Sequence, residues 1–142
     1  RAAEHAVLNA NYLRSLVEAD YPAAYGAGRR SMHEFVVTAR IAGAGEEVRA
    51  VDVAKRLIDL GFHPPTMYFP LIVKEALMIE PTETESRETL DAFAAAMAAI
   101  AAEARTDPAA LAAAPTEAPI GRPDELAAAR QPILRYGGVE PW

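Results

Sequence analysis

Gly61-Phe62-His63-Pro64-Pro65-Thr66 is the stretch on which the fold turns. Upstream of it, residues 49–60 carry Val51, Ala54, Leu57 and Ile58 on one stripe at helical spacing. Asp52 lies near the start of that helix and Lys55 and Arg56 lie toward its end, each with favourable sign for the helix dipole. Gly61 is placed to take the left-handed position after the last turn, and Phe62 to fold back over it. Pro64 and Pro65 then force an extended path. Beyond them, residues 67–73 and 77–79 read as two short strands that can pair antiparallel. Pro70 makes the first an edge strand or interrupts it, and Pro81 ends the second.

The reading extends outward from there. Residues 3–19 have a helical pattern, with Ala6, Leu13, Leu16 and Val17 near one face and Glu4, Arg14 and Glu18 free to sit in water. Tyr21-Pro22 stops that helix, and the stretch to Ser31 is loop-like, with Gly26, Gly28, Arg29 and Arg30. Residues 33–39, rich in β-branched and aromatic side chains, read as a strand. Downstream, Thr82 or Thr84 can cap a helix running to about residue 104, and Thr82 with Glu85 has capping-box spacing. Leu90, Phe93, Met97 and Ile100 give that helix its apolar face. Asp107-Pro108 restarts a short helix as cap and first residue, and residues 123–130 allow one more turn of helix.

Helix, strand, helix, two strands, helix and tail predict an α+β fold: one short mixed or antiparallel sheet with helices on one side. The expected organisation is a linking helix over residues 1–20, a small α+β domain over 21–106, and a Pro-rich arm over 107–142. That arm holds six prolines and is expected to run extended over the surface. Arg1 has no Met before it and helical periodicity is already running there, as expected of a piece of a longer polypeptide.

Composition narrows the function. A chain of 142 residues with 51% hydrophobic content can bury one sizeable core. The formal net charge of −6 and the lack of a basic face argue against nucleic acid. Arg29-Arg30 and Lys55-Arg56 read as a solvated turn and a helix C-terminal turn. There is no cysteine, which excludes disulfides, Cys-type zinc sites and a thiol nucleophile. The longest greasy stretch, residues 92–102, is about half of the ~20 residues a membrane span needs. With no signal-peptide pattern at the start, a soluble cytoplasmic protein is expected.

The ionisable candidates are few. His5, His33 and His63 have no metal-ligand spacing among them. His5 reads as structural. His33, beside Glu34, is either a site residue or a strand-end cap. His63, in the Pro-rich loop near Thr66, has the stronger functional reading. Glu83 and Glu85 complement a helix N-terminus. Glu80 ends an apolar strand, where a carboxylate is costly unless hydrogen-bonded, so it is expected to accept hydrogen bonds and pin its loop. Lys55 and Lys74, the two lysines, are expected inside regular elements and not as Schiff-base formers. No phosphate loop, nucleophile elbow or dinucleotide fingerprint is present.

Met32-His33-Glu34-Phe35-Val36, then Val51-Asp52-Val53-Ala54-Lys55-Arg56-Leu57 leading into Gly61-Phe62-His63-Pro64-Pro65-Thr66, then Met78-Ile79-Glu80-Pro81-Thr82-Glu83-Thr84-Glu85 resemble, in order, the C-terminal part of the glycine cleavage system P-protein family. The resemblance runs from about residue 5 to 135. Pro65 stands where the family usually has Ala. The ending, Ala129-Arg130-Gln131-Pro132-Ile133-Leu134, is similar to that of the second subunit of the two-subunit bacterial form. The resemblance implies the small C-terminal domain of a fold-type-I pyridoxal-phosphate enzyme. Such an enzyme decarboxylates glycine and passes the aminomethyl group to the lipoyl arm of the H-protein, in a heterotetramer with subunit 1. It also implies that the cofactor lysine lies upstream, that this piece holds no catalytic residue of its own, and that it is inactive alone. His33, Glu34, His63, Thr66, Glu80 and Thr82 would then line or brace the cleft. Arg29 and Arg30 lie outside the matching motifs and are weaker candidates to meet the anionic substrate and the lipoyl partner.

Two other readings stay open. The chain resembles in outline the small domain of another fold-type-I decarboxylase or aminotransferase. An aminotransferase would favour an arginine on the small-domain strand, and residues 33–39 contain none. A non-catalytic interaction module with the Pro-rich tail as its binding arm is the third.

Overall fold

The computed structural model describes residues 1–26, 28–45, 47–135 and 137. Helix α1 (Ala2–Val17) leads through a loop to strand β1 (Phe35–Thr38) and helix α2 (Ala50–Asp59). Strands β2 (Thr66–Met67) and β3 (Ala76–Ile79) follow, then helices α3 (Arg87–Thr106), α4 (Pro108–Ala113) and α5 (Glu125–Arg130). The sheet order is β1-β3-β2, and both pairings are antiparallel. Phe35 faces Ile79 and Thr38 faces Ala76, while Thr66 faces Met78. Along its other edge β1 pairs with the segment after α1: Ala23 bridges Val37, and Thr38 N–H donates to Pro22 O.

The period-2 alternation of the strands sorts their side chains. Phe35, Val37, Leu77 and Ile79 point inward to one buried cluster with Leu13 and Val17 of α1, Val53 and Leu57 of α2, Met97 and Ile100 of α3, and Leu111 of α4. Val36, Met78 and Thr66, aligned across the three strands, point the other way and lie outside that cluster. The α+β reading therefore holds, with helices on one face of the sheet and an outward face left open.

Several expectations are corrected in detail. β1 starts at Phe35, not at His33. The strand expected over residues 67–73 is only Thr66–Met67; Pro70 has no strand to sit in, and residues 71–75 turn back toward β3. Lys74 is thus exposed on a turn, whereas Lys55 is inside α2 as expected. On α1 the buried face is Ala10, Leu13, Arg14 and Val17, and Leu16 is exposed. On α2 it is Ala50, Val53, Ala54 and Leu57, with Ile58 turned out. Ser86, not Thr82 or Thr84, caps α3: its Oγ accepts from Thr89 N–H at 3.2 Å.

Past α3, Asp107 caps α4 and Pro108 occupies its first turn, as the sequence indicates. This part of the tail does not run free over the surface. Leu111 and Ala114 are wholly buried. Asp59, at the end of α2, accepts the Thr116 N–H at 2.8 Å and the Glu117 N–H at 2.9 Å. Arg122 pairs with the buried Asp52 at 2.8 Å. Among the described residues no helix is long and apolar enough to cross a membrane.

Candidate cleft-facing surface

Two grooves share Met78 of the open face: the second lies beside that face, and the first reaches past the end of β3 to Leu13 of α1 and Leu90 of α3. The first, about 350 Å³, has a floor of Leu13, Phe62, Leu90 and Phe93 and a rim of His63, Thr66, Glu80, Thr82, Glu85 and Thr89. Its position follows from local chemistry. Gly61 (φ 82°) ends α2, because this left-handed conformation strains any residue with a Cβ. Phe62 N–H then bonds Leu57 O at 2.9 Å, and the Phe62 ring packs edge-on against Phe93 of α3 at 5.4 Å. That contact turns residues 63–65 outward along the groove.

The opposite wall is the 80–85 loop, and α1 holds it. Asn9 Nδ2 donates to Thr82 O at 2.9 Å and Glu85 O at 3.2 Å. Pro81 beneath is buried. Glu80 does not pin this loop as expected. Its side chain is about half exposed, and among the described residues its one partner is the His33 Nε2 at 3.8 Å. The strand end is open to water there, so the carboxylate stays hydrated and needs no protein hydrogen bond.

The second groove, about 430 Å³, is walled by Glu34, Val36, Phe69, Pro70 and the 25–31 loop. Arg14 of α1, expected in water, is only 7% exposed and builds that loop. Its guanidinium donates to Arg29 O, Ser31 Oγ and Gly26 O, each at 3.0 Å, while Nε pairs with Glu18 at 3.1 Å. Asn11 adds a reciprocal pair, donating to Ser31 O at 2.8 Å and accepting Ser31 N–H at 2.9 Å. Arg29 and Arg30 stand exposed on this fixed loop.

The structure thus gathers His63, Thr66, Glu80 and Thr82 on one groove, sets His33 against Glu80, and places Glu34 on the neighbouring groove. His5 lies exposed on α1 and lines neither. The bracing residues Asn9, Asn11 and Arg14, and Glu75, whose carboxylate accepts the Ala50 N–H at 2.6 Å, were missed by sequence reasoning. Two asparagines within one helix, where they are weak helix formers, are the signal that could have found two of them.

The chemistry on offer is that of a wall. Neither lysine lines a groove, so no amine is placed to hold an aldehyde cofactor. The first groove has no arginine or lysine for a phosphate, and Glu80 and Glu85 would repel one. These residues do not form a pyridoxal-phosphate site by themselves. Among the described residues no group of three or more His, Asp or Glu is placed to hold a metal ion.

The sequence profile described as "Glycine dehydrogenase, C-terminal domain" matches residues 2–118. A Caldanaerobacter subterraneus protein named "Probable glycine dehydrogenase (decarboxylating) subunit 2" is 57% identical over 136 residues, covering 96% of this chain and 27% of the relative. Proteins with the same name from Methylococcus capsulatus and Treponema denticola are 53% and 54% identical, covering 99% and 93% of this chain. The chain spans a little over a quarter of the length of these relatives, 27% to 29%.

Proposed function

The chain belongs to the glycine dehydrogenase C-terminal domain family, and on that premise we propose that it is the C-terminal domain of subunit 2 of a pyridoxal-phosphate-dependent glycine dehydrogenase of the glycine cleavage system. The observation that carries this reading is the match over residues 2–118, which takes in both grooves.

In this reading the full-length enzyme decarboxylates glycine and hands the aminomethyl group to the lipoyl arm of the H-protein, with subunit 1 as partner, in the cytoplasm. The cofactor supplies the electron sink when bound, and its lysine lies on the preceding part of the polypeptide. This domain contributes the wall. The hydroxyls of Thr66 and Thr82, with His63, offer neutral hydrogen-bonding groups beside the cleft. The apolar floor keeps water out, which strengthens electrostatic interactions inside. Glu80 and His33 face each other at 3.8 Å at one end.

The test uses the full-length parent assembled with subunit 1 and lipoylated H-protein. Exchange of labelled bicarbonate into the carboxyl of glycine is expected, with none into alanine or serine. Absence of exchange with glycine, or an amino-group transfer to a keto acid in its place, overturns the reading.

A further inference from the structure

We propose that the loop of residues 68–75 is a docking plug, seated in the full-length enzyme against the larger preceding part of the same polypeptide. The inference rests on the reading above and assigns what covers one part of the open face.

The loop presents three large apolar side chains to water: Phe69 is 54% exposed, Leu71 88% and Ile72 83%. Scattered apolar residues on a surface are ordinary, but three on one short loop form a patch. The loop is also firmly built. Tyr68 N–H bonds Ala76 O at 2.9 Å, and Val73 N–H bonds Pro70 O at 3.0 Å. At the far end Ala39 N–H bonds Glu75 O at 2.8 Å, Thr38 Oγ1 donates to Lys74 O at 2.8 Å, and the Glu75 carboxylate accepts Ala50 N–H at 2.6 Å. These bonds hold Tyr68 (φ 58°) and Glu75 (φ 52°) in left-handed conformations that cost free energy outside glycine. A loop ordered before its partner arrives loses less entropy on docking.

Position identifies the occupant. Phe69 and Pro70 wall the second groove with Met78, and Met78 also walls the first. A body that covers the second groove therefore meets the base of the plug. The curated relatives carry more than two thirds of their length outside the matched segment, and a covalently linked body faces this surface at high effective concentration. The rim suits a protein interface. Arg29 and Arg30 flank the groove, and Lys74 and Arg40 sit on either side of Thr38. Among the described residues none of these four is paired with a carboxylate. An apolar centre within a charged rim is the usual layout of such contacts.

The experiment places cysteine at Ile72 (Ile72→Cys) in the full-length parent and follows maleimide labelling beyond that of the unsubstituted protein. Rates are compared in subunit 2 alone, after adding subunit 1, and in denaturant. The proposal expects labelling at least about tenfold slower in subunit 2 alone than in denaturant, unchanged by subunit 1. Fast labelling slowed only by subunit 1 assigns the plug to the other subunit. Slowing that follows the concentration of subunit 2 assigns it to a second copy. Fast labelling throughout leaves it solvent-exposed. Each of these three overturns the proposal, and Leu71→Cys repeats the measurement one residue away. Glycine–bicarbonate exchange by the unsubstituted enzyme is read separately, so exchange with a freely labelled plug overturns the docking alone.

Discussion

Arg14 and Asp59 show what single side chains do here. Arg14 occupies a helix position flanked by core residues and spends its charge on the carbonyls of the 25–31 loop. A guanidinium suits this because its fork of donors reaches several acceptors at once. Asp59 does the reverse for the tail. Its side chain is 1% exposed and collects the N–H groups of Thr116 and Glu117 and the Arg56 guanidinium. Burial pushes its pKa up, but those donors outweigh burial and hold the carboxyl below the usual range. A depressed folded value means the contribution is present above the unfolded pKa, near 4, and is lost as pH falls through the folded one. Asp59→Asn is expected to cost about 2 kcal/mol at neutral pH, read as a lower urea midpoint at unchanged slope. It should also flatten the acid limb of the stability profile. A variant as stable as the parent at pH 7 would show that the charge does not hold the tail.

At the level of elements, the ends matter more than the middles. Helix α2 is fixed at its start from two directions, by Asp52 on the Arg49 N–H at 2.9 Å and by Glu75 on the Ala50 N–H at 2.6 Å. Only the first was legible locally, because Glu75 comes from a distant turn. The same holds for α3. The capping-box spacing of Thr82 and Glu85 suggested a start four residues too early. The chain instead makes a turn over Thr82–Glu85, closed by Glu85 N–H on Thr82 O at 3.2 Å, and Asn9 on α1 holds that turn through the Thr82 and Glu85 carbonyls. Ser86→Ala should therefore cost about 1 kcal/mol of stability. Thr82→Ala, whose hydroxyl meets only Thr84 among the described residues, should stay within about 0.5 kcal/mol. Thermal melts of the two variants distinguish the caps, and equal losses would contradict the assignment to Ser86.

For the molecule as a whole, hydrophobic period and turn chemistry made the α+β class, the element order, the ends of α2 and the start of α4 readable. Gly61, Pro64, Pro65, Asp107 and Pro108 each act through their own backbone restrictions, so their meaning is local and visible in the chain. The brevity of β2 and the enclosure of α4 were not readable. They depend on what packs against them across the core, as Leu111 does among α2 and α3. The motif residues His63, Thr66, Glu80 and Thr82 were found as motifs, and the fold supplies their shared groove. The role of Glu80 was misjudged because the exposure of a strand end is a tertiary property. The central claim is that the open sheet face walls a reaction centre carried elsewhere in the full-length enzyme. Thr66 is exposed on that face and supports nothing beneath it. Thr66→Arg in the full-length parent, assembled with subunit 1 and H-protein, measures the claim directly through glycine–bicarbonate exchange. The account predicts exchange reduced at least about tenfold, a loss of about 1.4 kcal/mol of transition-state stabilisation, with unchanged melting. Exchange at the parental rate with a bulky cation on the groove would contradict it.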